Sequence, residues 1–249
     1  MTLGLSAVVV YLALCAALYL LQRKLIYFPQ RQSPSASANM LALPVPDARL
    51  VITTRPRAGS KAVLYFGGNA EDVASSLPGM SAAFADRAVY LMNYRSFGGS
   101  SGQPSEAALV NDAVALYDKV RADHTDFTVV GRSLGSGVAI QLAKLRPVTR
   151  LVLVTPYFSL QDLAARRFPV FPVRFLLRDK FESWRYAAGL STPTRLVVAE
   201  HDTVVPRASS EALLEHFQPG GAQLRVLAGT DHNSIGLHPD YTRLLSDGP

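Results

Sequence analysis

The chain has 249 residues, is 49% hydrophobic and carries a formal charge of +6, which is material for one large core and gives no sign of a second independent domain. Its basic residues are scattered, with no zinc-finger spacing, homeodomain-like helix or RNA-binding aromatic signature, so nucleic acid is not an expected partner. The histidines are dispersed, no dinucleotide fingerprint follows the first strand, and the single Cys15 cannot form an internal disulfide; no metal and no cofactor are expected.

Taken in order, the chain opens on a run without a charged side chain from Met1 to Leu21, long enough to cross a bilayer as a helix. A cleaved signal peptide would want a basic leader and a small-x-small cleavage site, and neither is present, so residues 1–24 read as an uncleaved single-pass anchor with Cys15 facing lipid. Arg23, Lys24 and Arg31 follow the run and no basic residue precedes it, which puts the folded part on the cytoplasmic side by the positive-inside tendency. Residues 25–48, rich in Pro, Ser and Ala from Pro29 to Pro46 and without periodicity, read as a linker.

From residue 49 to residue 249, apolar runs alternate with helical patterns. The expected strands are 49–54 and 61–66 as an opening pair, then 88–93, 127–131, 151–155, 195–200 and 224–227. Helical spacing occupies 70–87, 105–121, 134–145, 207–217 and 241–245. This alternation specifies an α/β fold with a mostly parallel sheet flanked by helices.

At residues 127–137 the short strand Phe127-Thr128-Val129-Val130 breaks into Gly131-Arg132-Ser133-Leu134-Gly135 and then a helix. That is a strand, a sharp turn and a helix with a serine at the apex. A Cβ at Gly131 or Gly135 would collide with the neighbouring strand or helix, and the helix N-terminus behind Ser133 favours negative charge nearby. Upstream, Gly67-Gly68-Asn69 follows a strand end, where ligands of α/β sheets collect, and its backbone N–H groups can approach a substrate oxygen. A donor from Gly68 or Asn69 could pair with the N–H of Leu134 as an oxyanion hole; the plain alternative is an ordinary strand-to-helix turn.

Asp202 closely follows the strand near 195–200 and His232 follows the next one, so the order Ser133, Asp202, His232 falls on successive strand ends. A hydroxyl is a weak nucleophile until an imidazole takes its proton and a carboxylate orients that imidazole. Glu200 or Asp231 are alternative acids and His201 an alternative base, whereas His124, His216 and His238 look structural. Between residues 156 and 192 the alternation lapses into an aromatic, arginine-rich stretch around Phe168, Phe171, Phe175 and Trp184, which reads as a small cap. It could dock on anionic headgroups or gather acyl substrates, or it could pack its apolar face on the domain with its arginines simply solvated.

Several stretches together carry a family resemblance. They are Gln22-Arg23-Lys24-Leu25-Ile26-Tyr27-Phe28-Pro29, Leu64-Tyr65-Phe66-Gly67-Gly68-Asn69-Ala70-Glu71, Asn93-Tyr94-Arg95-Ser96-Phe97-Gly98-Gly99-Ser100, Gly131 to Gly135, the Asp202 loop and Asp231-His232-Asn233. With these the chain resembles the α/β-hydrolase superfamily, and within it the membrane-anchored, serine-aminopeptidase-like branch of bud-emergence type. The resemblance implies Ser133 as nucleophile, His232 as base, Asp202 as orienting acid, and the N–H groups of Asn69 and Leu134 as oxyanion hole. It also implies that the loop from Asn93 to Ser100 shapes the pocket. The branch carries His-Gly-Asn where this chain has Gly67-Gly68-Asn69, so the imidazole that braces that loop is missing here. The expected activity is hydrolysis of ester, thioester or lipid acyl substrates through an acyl-enzyme. An acyltransferase using the same triad and a non-catalytic membrane-tethered scaffold are the alternatives.

Overall fold

The computed structural model describes residues 2–31 and 39–247. Helix α1 (Thr2–Ile26) is followed by a hairpin of β1 (Asn39–Val45) and β2 (Ala48–Arg55). The chain then runs β3 (Lys61–Phe66), α2 (Leu77–Ala83), β4 (Ala88–Met92), α3 (Glu106–Val120), β5 (Asp126–Arg132), α4 (Leu134–Leu145) and β6 (Arg150–Val154). Three short helices, α5 (Leu160–Arg167), α6 (Val173–Leu176) and α7 (Ser183–Ala187), form the cap segment. It closes with β7 (Thr194–Ala199), α8 (Arg207–Leu214), β8 (Ala222–Leu227) and α9 (Tyr241–Ser246).

The strands make one eight-stranded sheet in the order β1-β2-β4-β3-β5-β6-β7-β8, parallel from β4 through β8 and antiparallel at β1, β2 and β4. Period-two alternation divides its side chains. Leu64, Phe66, Val129 and Leu153 join one core with α3 and α4, while Val63, Tyr65, Val130 and Val152 join a second core with α2 and α9. Because both faces are covered, the central strands read as continuous apolar runs. Each fully buried side chain of this size contributes about 1.5–3 kcal/mol, so the middle of the sheet is a rigid platform. The site grows from the carboxyl ends of β3, β5, β7 and β8.

The opening of the domain differs from the sequence expectation. Residues 49–54 and 61–66 are not neighbours: β2 pairs with β1 and β4, and β3 lies between β4 and β5. The stretch 25–48 is not a linker either, since Asn39–Val45 is a strand in register with β2. Pro44 conceals it in the sequence, because a proline is tolerated only where its missing donor faces no partner, as in this edge strand. The hairpin turns at Pro46-Asp47, with Asp47 at φ 60°. Residues 32–38 of the expected linker lie outside the described residues.

Helix α1 includes the run Gly4–Ile26, long and apolar enough to cross a membrane by length and composition. Its second half packs on the domain. Gln22 Nε2 donates to the Leu176 carbonyl at 3.0 Å and its Oε1 accepts from the Arg178 N–H at 2.6 Å. Arg23 pairs with the buried Asp179 at 3.0 Å, and the Tyr27 hydroxyl donates to the same carboxylate at 3.2 Å. Cys15 is therefore not lipid-facing; it is buried.

Candidate active site

Ser133 ends β5 and opens α4 at φ 50° and ψ −117°, a conformation that L-residues rarely adopt. Packing holds it there. A Cβ on Gly131 would meet the Gly135 carbonyl and stand 2.6 Å from Ala139 Cβ, and one on Gly135 would meet the Phe66 carbonyl and stand 2.7 Å from Gly67 O. Both glycines are thus required by close approach, as the sequence pattern predicts. The Ser133 N–H donates to the Val154 carbonyl at 2.8 Å, and its carbonyl accepts from Ser136 Oγ at 2.7 Å, so the apex is tied on both sides.

The three candidates on successive strand ends meet. His232 Nε2 lies 3.0 Å from Ser133 Oγ, and His232 Nδ1 lies 2.8 Å from Asp202 Oδ2. Asp202 Oδ1 accepts the N–H groups of Val204 at 2.9 Å and Val205 at 2.7 Å, which fixes the carboxylate plane. With Nδ1–H donating to Asp202, Nε2 is left to accept the serine proton. All three residues are buried, and the Asp202 side chain is wholly so. The arrangement can generate an alkoxide-like oxygen at Ser133 and stabilise the imidazolium that results.

The other candidates do not join this group. Glu200 accepts from the Gly229 N–H, Asp231 caps the turn through the N–H groups of Asn233 and Ser234, and His201 is exposed beside Glu200. His124 sits between Tyr90 Oη and the Gly59 carbonyl, His216 hydrogen-bonds the Ala212 carbonyl and packs on Phe158 and Trp184, and His238 accepts from the Asp240 N–H.

Asn69 and Leu134 line the same cleft as Ser133, and among the described residues their backbone N–H groups have no protein acceptor. Gly68 differs: its N–H is committed to Glu71 Oε2 at 2.8 Å, which withdraws it as an oxyanion donor. A Cβ there would stand 3.8 Å from Ser133 Cβ, an ordinary contact, so packing does not demand a glycine at this position.

The missing imidazole of the Gly67 loop has a physical counterpart. A Cβ on Gly67 would stand 2.6 Å from Val73 Cγ1 and 3.1 Å from the Glu71 carboxyl, so a larger residue has no room. Glu71 braces the loop instead. Its carboxylate accepts from Gly68 N, Tyr65 Oη at 2.6 Å, Ser76 Oγ at 2.6 Å and Arg132 Nη1 at 3.0 Å. Arg132 also donates to the His232 carbonyl at 3.1 Å, linking this loop to the loop that carries His232. Burial alone would lower the Arg132 pKa, but the Glu71 carboxylate beside it outweighs that and holds it above the ordinary value. Burial pushes the Tyr65 phenol well up, so it remains a donor.

Tyr94 donates to the Gly67 carbonyl at 2.8 Å, and Arg95 pairs with Asp112 at 2.8 Å. The loop from Asn93 to Ser100 therefore supports the site from behind; contrary to expectation, it does not line the cleft. Sequence reasoning gave no role to Glu71 or Arg132, although both stand inside the family-like stretches. The available signal was a charge directly flanking an otherwise apolar nucleophile turn.

A cleft of about 490 Å³ opens over Ser133. Its walls are Leu160, Leu163, Phe168, Phe171 and Leu177 from the cap, Val204 and Val205 from the Asp202 loop, and Leu18, Gln22, Leu25 and Ile26 from α1. The volume lies within the range of small-molecule sites, and the lining is mostly apolar with few polar groups, as such sites are. Among the described residues no His, Cys, Asp and Glu cluster could hold a metal ion.

A family model for the alpha/beta hydrolase family matches residues 65–192, spanning β3 through the cap. This chain belongs to that family. An uncharacterized protein of Mycobacterium tuberculosis is 33% identical over 240 residues, covering 87% of this chain and 82% of the relative. The lysophosphatidylserine lipase ABHD12 of Danio rerio is 30% identical over 192 residues, covering 64% of this chain and 49% of that protein. Protein bem46 of Schizosaccharomyces pombe is 24% identical over 213 residues, covering 81% and 71%. In fold, the alpha/beta hydrolase chain is similar to the Pyrococcus furiosus esterase Pf2001, with a TM-score of 0.68 at 16% identity over 85% of this chain and 92% of the esterase. The parallel sheet, its flanking helices and the α/β-hydrolase topology are thus those expected from the sequence.

Proposed function

We propose that this family member is a membrane-anchored serine hydrolase that cleaves lipid-like acyl esters through an acyl-enzyme on Ser133. The observation that carries the reading is the hydrogen-bonded relay Asp202–His232–Ser133 at the base of an apolar cleft. In the first half-reaction Ser133 Oγ bonds to the acyl carbon while its proton passes to His232 Nε2. The carbonyl electrons move onto oxygen, where the N–H groups of Asn69 and Leu134 are available as donors. When the carbonyl re-forms, the bond to the leaving alkoxide breaks and Nε2 returns the proton to it. Water then repeats the sequence on the acyl-enzyme and releases the acid. The apolar walls favour an acyl chain over a large polar substrate, and the name of the Danio rerio relative, a lysophosphatidylserine lipase, points the same way. With Arg23, Lys24 and Arg31 following the apolar run, the domain is proposed to face the cytoplasm, which protease protection of oriented vesicles tests.

The deciding experiment is fluorophosphonate labelling of the full chain in membranes. Wild type labels and Ser133→Ala and His232→Ala do not; absence of labelling in folded wild type, in membranes permeabilised so that the reagent reaches both sides, sinks the proposal. A panel of esters of graded chain length then ranks substrates, with turnover rising toward long chains.

A further inference from the structure

Helix α1 does more than tether. Leu18, Gln22, Leu25 and Ile26 stand in the cleft wall with Ser133. Further toward its N-terminus, Tyr11 Oη donates to the Val170 carbonyl at 2.9 Å and its ring stacks on Phe171 with centroids 5.8 Å apart. From Gln22 to Tyr11 the helix advances roughly 16 Å at about 1.5 Å per residue, half of a hydrocarbon core of about 30 Å. If α1 crosses a bilayer, the cap tip touching Tyr11 cannot lie in bulk water; it lies alongside the helix.

The surface of the tip agrees with this. Phe168 is 43% exposed, Val170 71% and Phe175 80%, and on α1 Leu12 and Leu14, close in sequence to the Tyr11 contact, are exposed as well. An exposed apolar face rimmed by polar residues marks an interaction or membrane surface. Around it stand the exposed Arg167, Arg174 and Arg178, together with Arg166, which is paired with Asp162 at 2.9 Å. Arginines with long apolar stems suit the level of anionic headgroups, reaching phosphates while the aromatic tip goes deeper. The polar fastening of α1 to the domain, Arg23–Asp179 with Gln22–Arg178, lies near the arginine end of the face rather than the apolar tip.

We propose that the apolar cap tip, formed by Phe168, Val170 and Phe175, is embedded in the same bilayer leaflet as the second half of α1, and that the cleft takes its acyl chain sideways from that leaflet. The occupant of the exposed face is then the lipid bilayer, with anionic headgroups at the arginines, and α1 is one wall of the substrate site. The first half of this proposal stands on the packing of α1 against the cap; the second rests on the hydrolase reading above.

The test uses the full chain with Cys15→Ala, carrying Val170→Cys, Phe175→Cys or the control Arg57→Cys, each labelled with an environment-sensitive fluorophore and reconstituted into phosphatidylcholine–phosphatidylglycerol vesicles. Nitroxides on the lipid acyl chains are expected to quench the probes at 170 and 175 and spare the probe at 57, and aqueous iodide to do the reverse. Iodide quenching at 170 and 175 equal to that at 57 overturns the embedding. For the acyl route, Val170→Asp combined with Phe175→Asp is expected to lower turnover of a long-chain ester in vesicles by about tenfold or more, because charge in the acyl region is costly, while turnover of a short water-soluble ester is unchanged. Equal loss on both esters overturns the lateral route. If Ser133→Ala leaves ester turnover intact, the hydrolase reading fails, and the quenching result still decides the embedding.

Discussion

Arg132→Met removes the guanidinium that joins the Glu71 loop to the carbonyl of His232. The Glu71 side chain is only 8% exposed, so the change leaves a buried carboxylate without its cation. Breaking a buried pair in this way costs about 3–5 kcal/mol, and the lower end applies because Gly68 N, Tyr65 Oη and Ser76 Oγ still donate to Glu71. For a domain of this length, about 3 kcal/mol corresponds to a fall in Tm of roughly 6–12 °C. Glu71→Gln alone leaves a partly buried cation and is expected to cost a similar amount. The double variant is expected to lose less than the sum, with a coupling of about 2 kcal/mol, within the range for directly contacting groups. Urea unfolding of the detergent-solubilised chain measures all three. Arg132 touches no reacting atom, so fluorophosphonate labelling serves as the positioning readout, and the rate is expected to fall in Arg132→Met even under conditions where the variant is folded. An unfolding free energy within about 0.5 kcal/mol of wild type, or strict additivity in the cycle, would refute the brace.

Asp202→Asn keeps the hydrogen-bonding shape but favours the wrong imidazole tautomer, so steady-state kinetics are expected to show kcat lower by roughly 10³–10⁴-fold with little change in KM. Gly135→Ala drives a methyl group into the Phe66 carbonyl, a backbone atom that cannot rotate away; thermal unfolding is expected to show a loss of about 3 kcal/mol. Burial pushes the Glu106 carboxyl above its usual range, in spite of hydrogen bonds from the Phe181 N–H, Gln141 and the Lys180 N–H, and Asp179 adds to the upward push. The folded state therefore holds this proton more tightly than the unfolded one, so the group's contribution to stability is full below the unfolded value of about 4.3 and declines as pH rises through the folded value. In Glu106→Gln that part of the pH dependence is expected to vanish from the unfolding free energy measured between acidic and neutral pH.

The centre of the molecule was legible because there the local signals agree. The apolar run 127–130, the glycine-flanked serine and the helical pattern from Leu134 all specify the same strand–turn–helix unit, and burial on both faces leaves that unit no alternative. Asp202 and His232 were legible from their places after strands, a regularity of the sheet rather than of the residues themselves. The edges of the fold were not. The proline in β1 imitates a linker because an edge strand leaves its missing donor unpunished, and the pairing of β2 with β4 instead of β3 depends on contacts distant in sequence. Glu71 was unreadable for a related reason: its partners Tyr65, Ser76 and Arg132 come from three elements, and no local pattern announces their meeting.

The fastening of α1 to the cap also sets an order of events during biosynthesis. The hydrogen bonds of Tyr11, Gln22, Arg23 and Tyr27 reach partners 152 to 159 residues later. Closing a loop of that size in free solution costs roughly 4–5 kcal/mol in chain entropy, and these bonds cannot form until residues 168–179 have left the ribosome. Most of the sheet, by contrast, can assemble from nearest-neighbour strands. The nascent protein therefore passes through a stage in which β1 to β6 have emerged but one wall of the Ser133 cleft is still absent, and because β7 and β8 follow the cap in the chain, that wall can close before the strands that carry Asp202 and His232 are made.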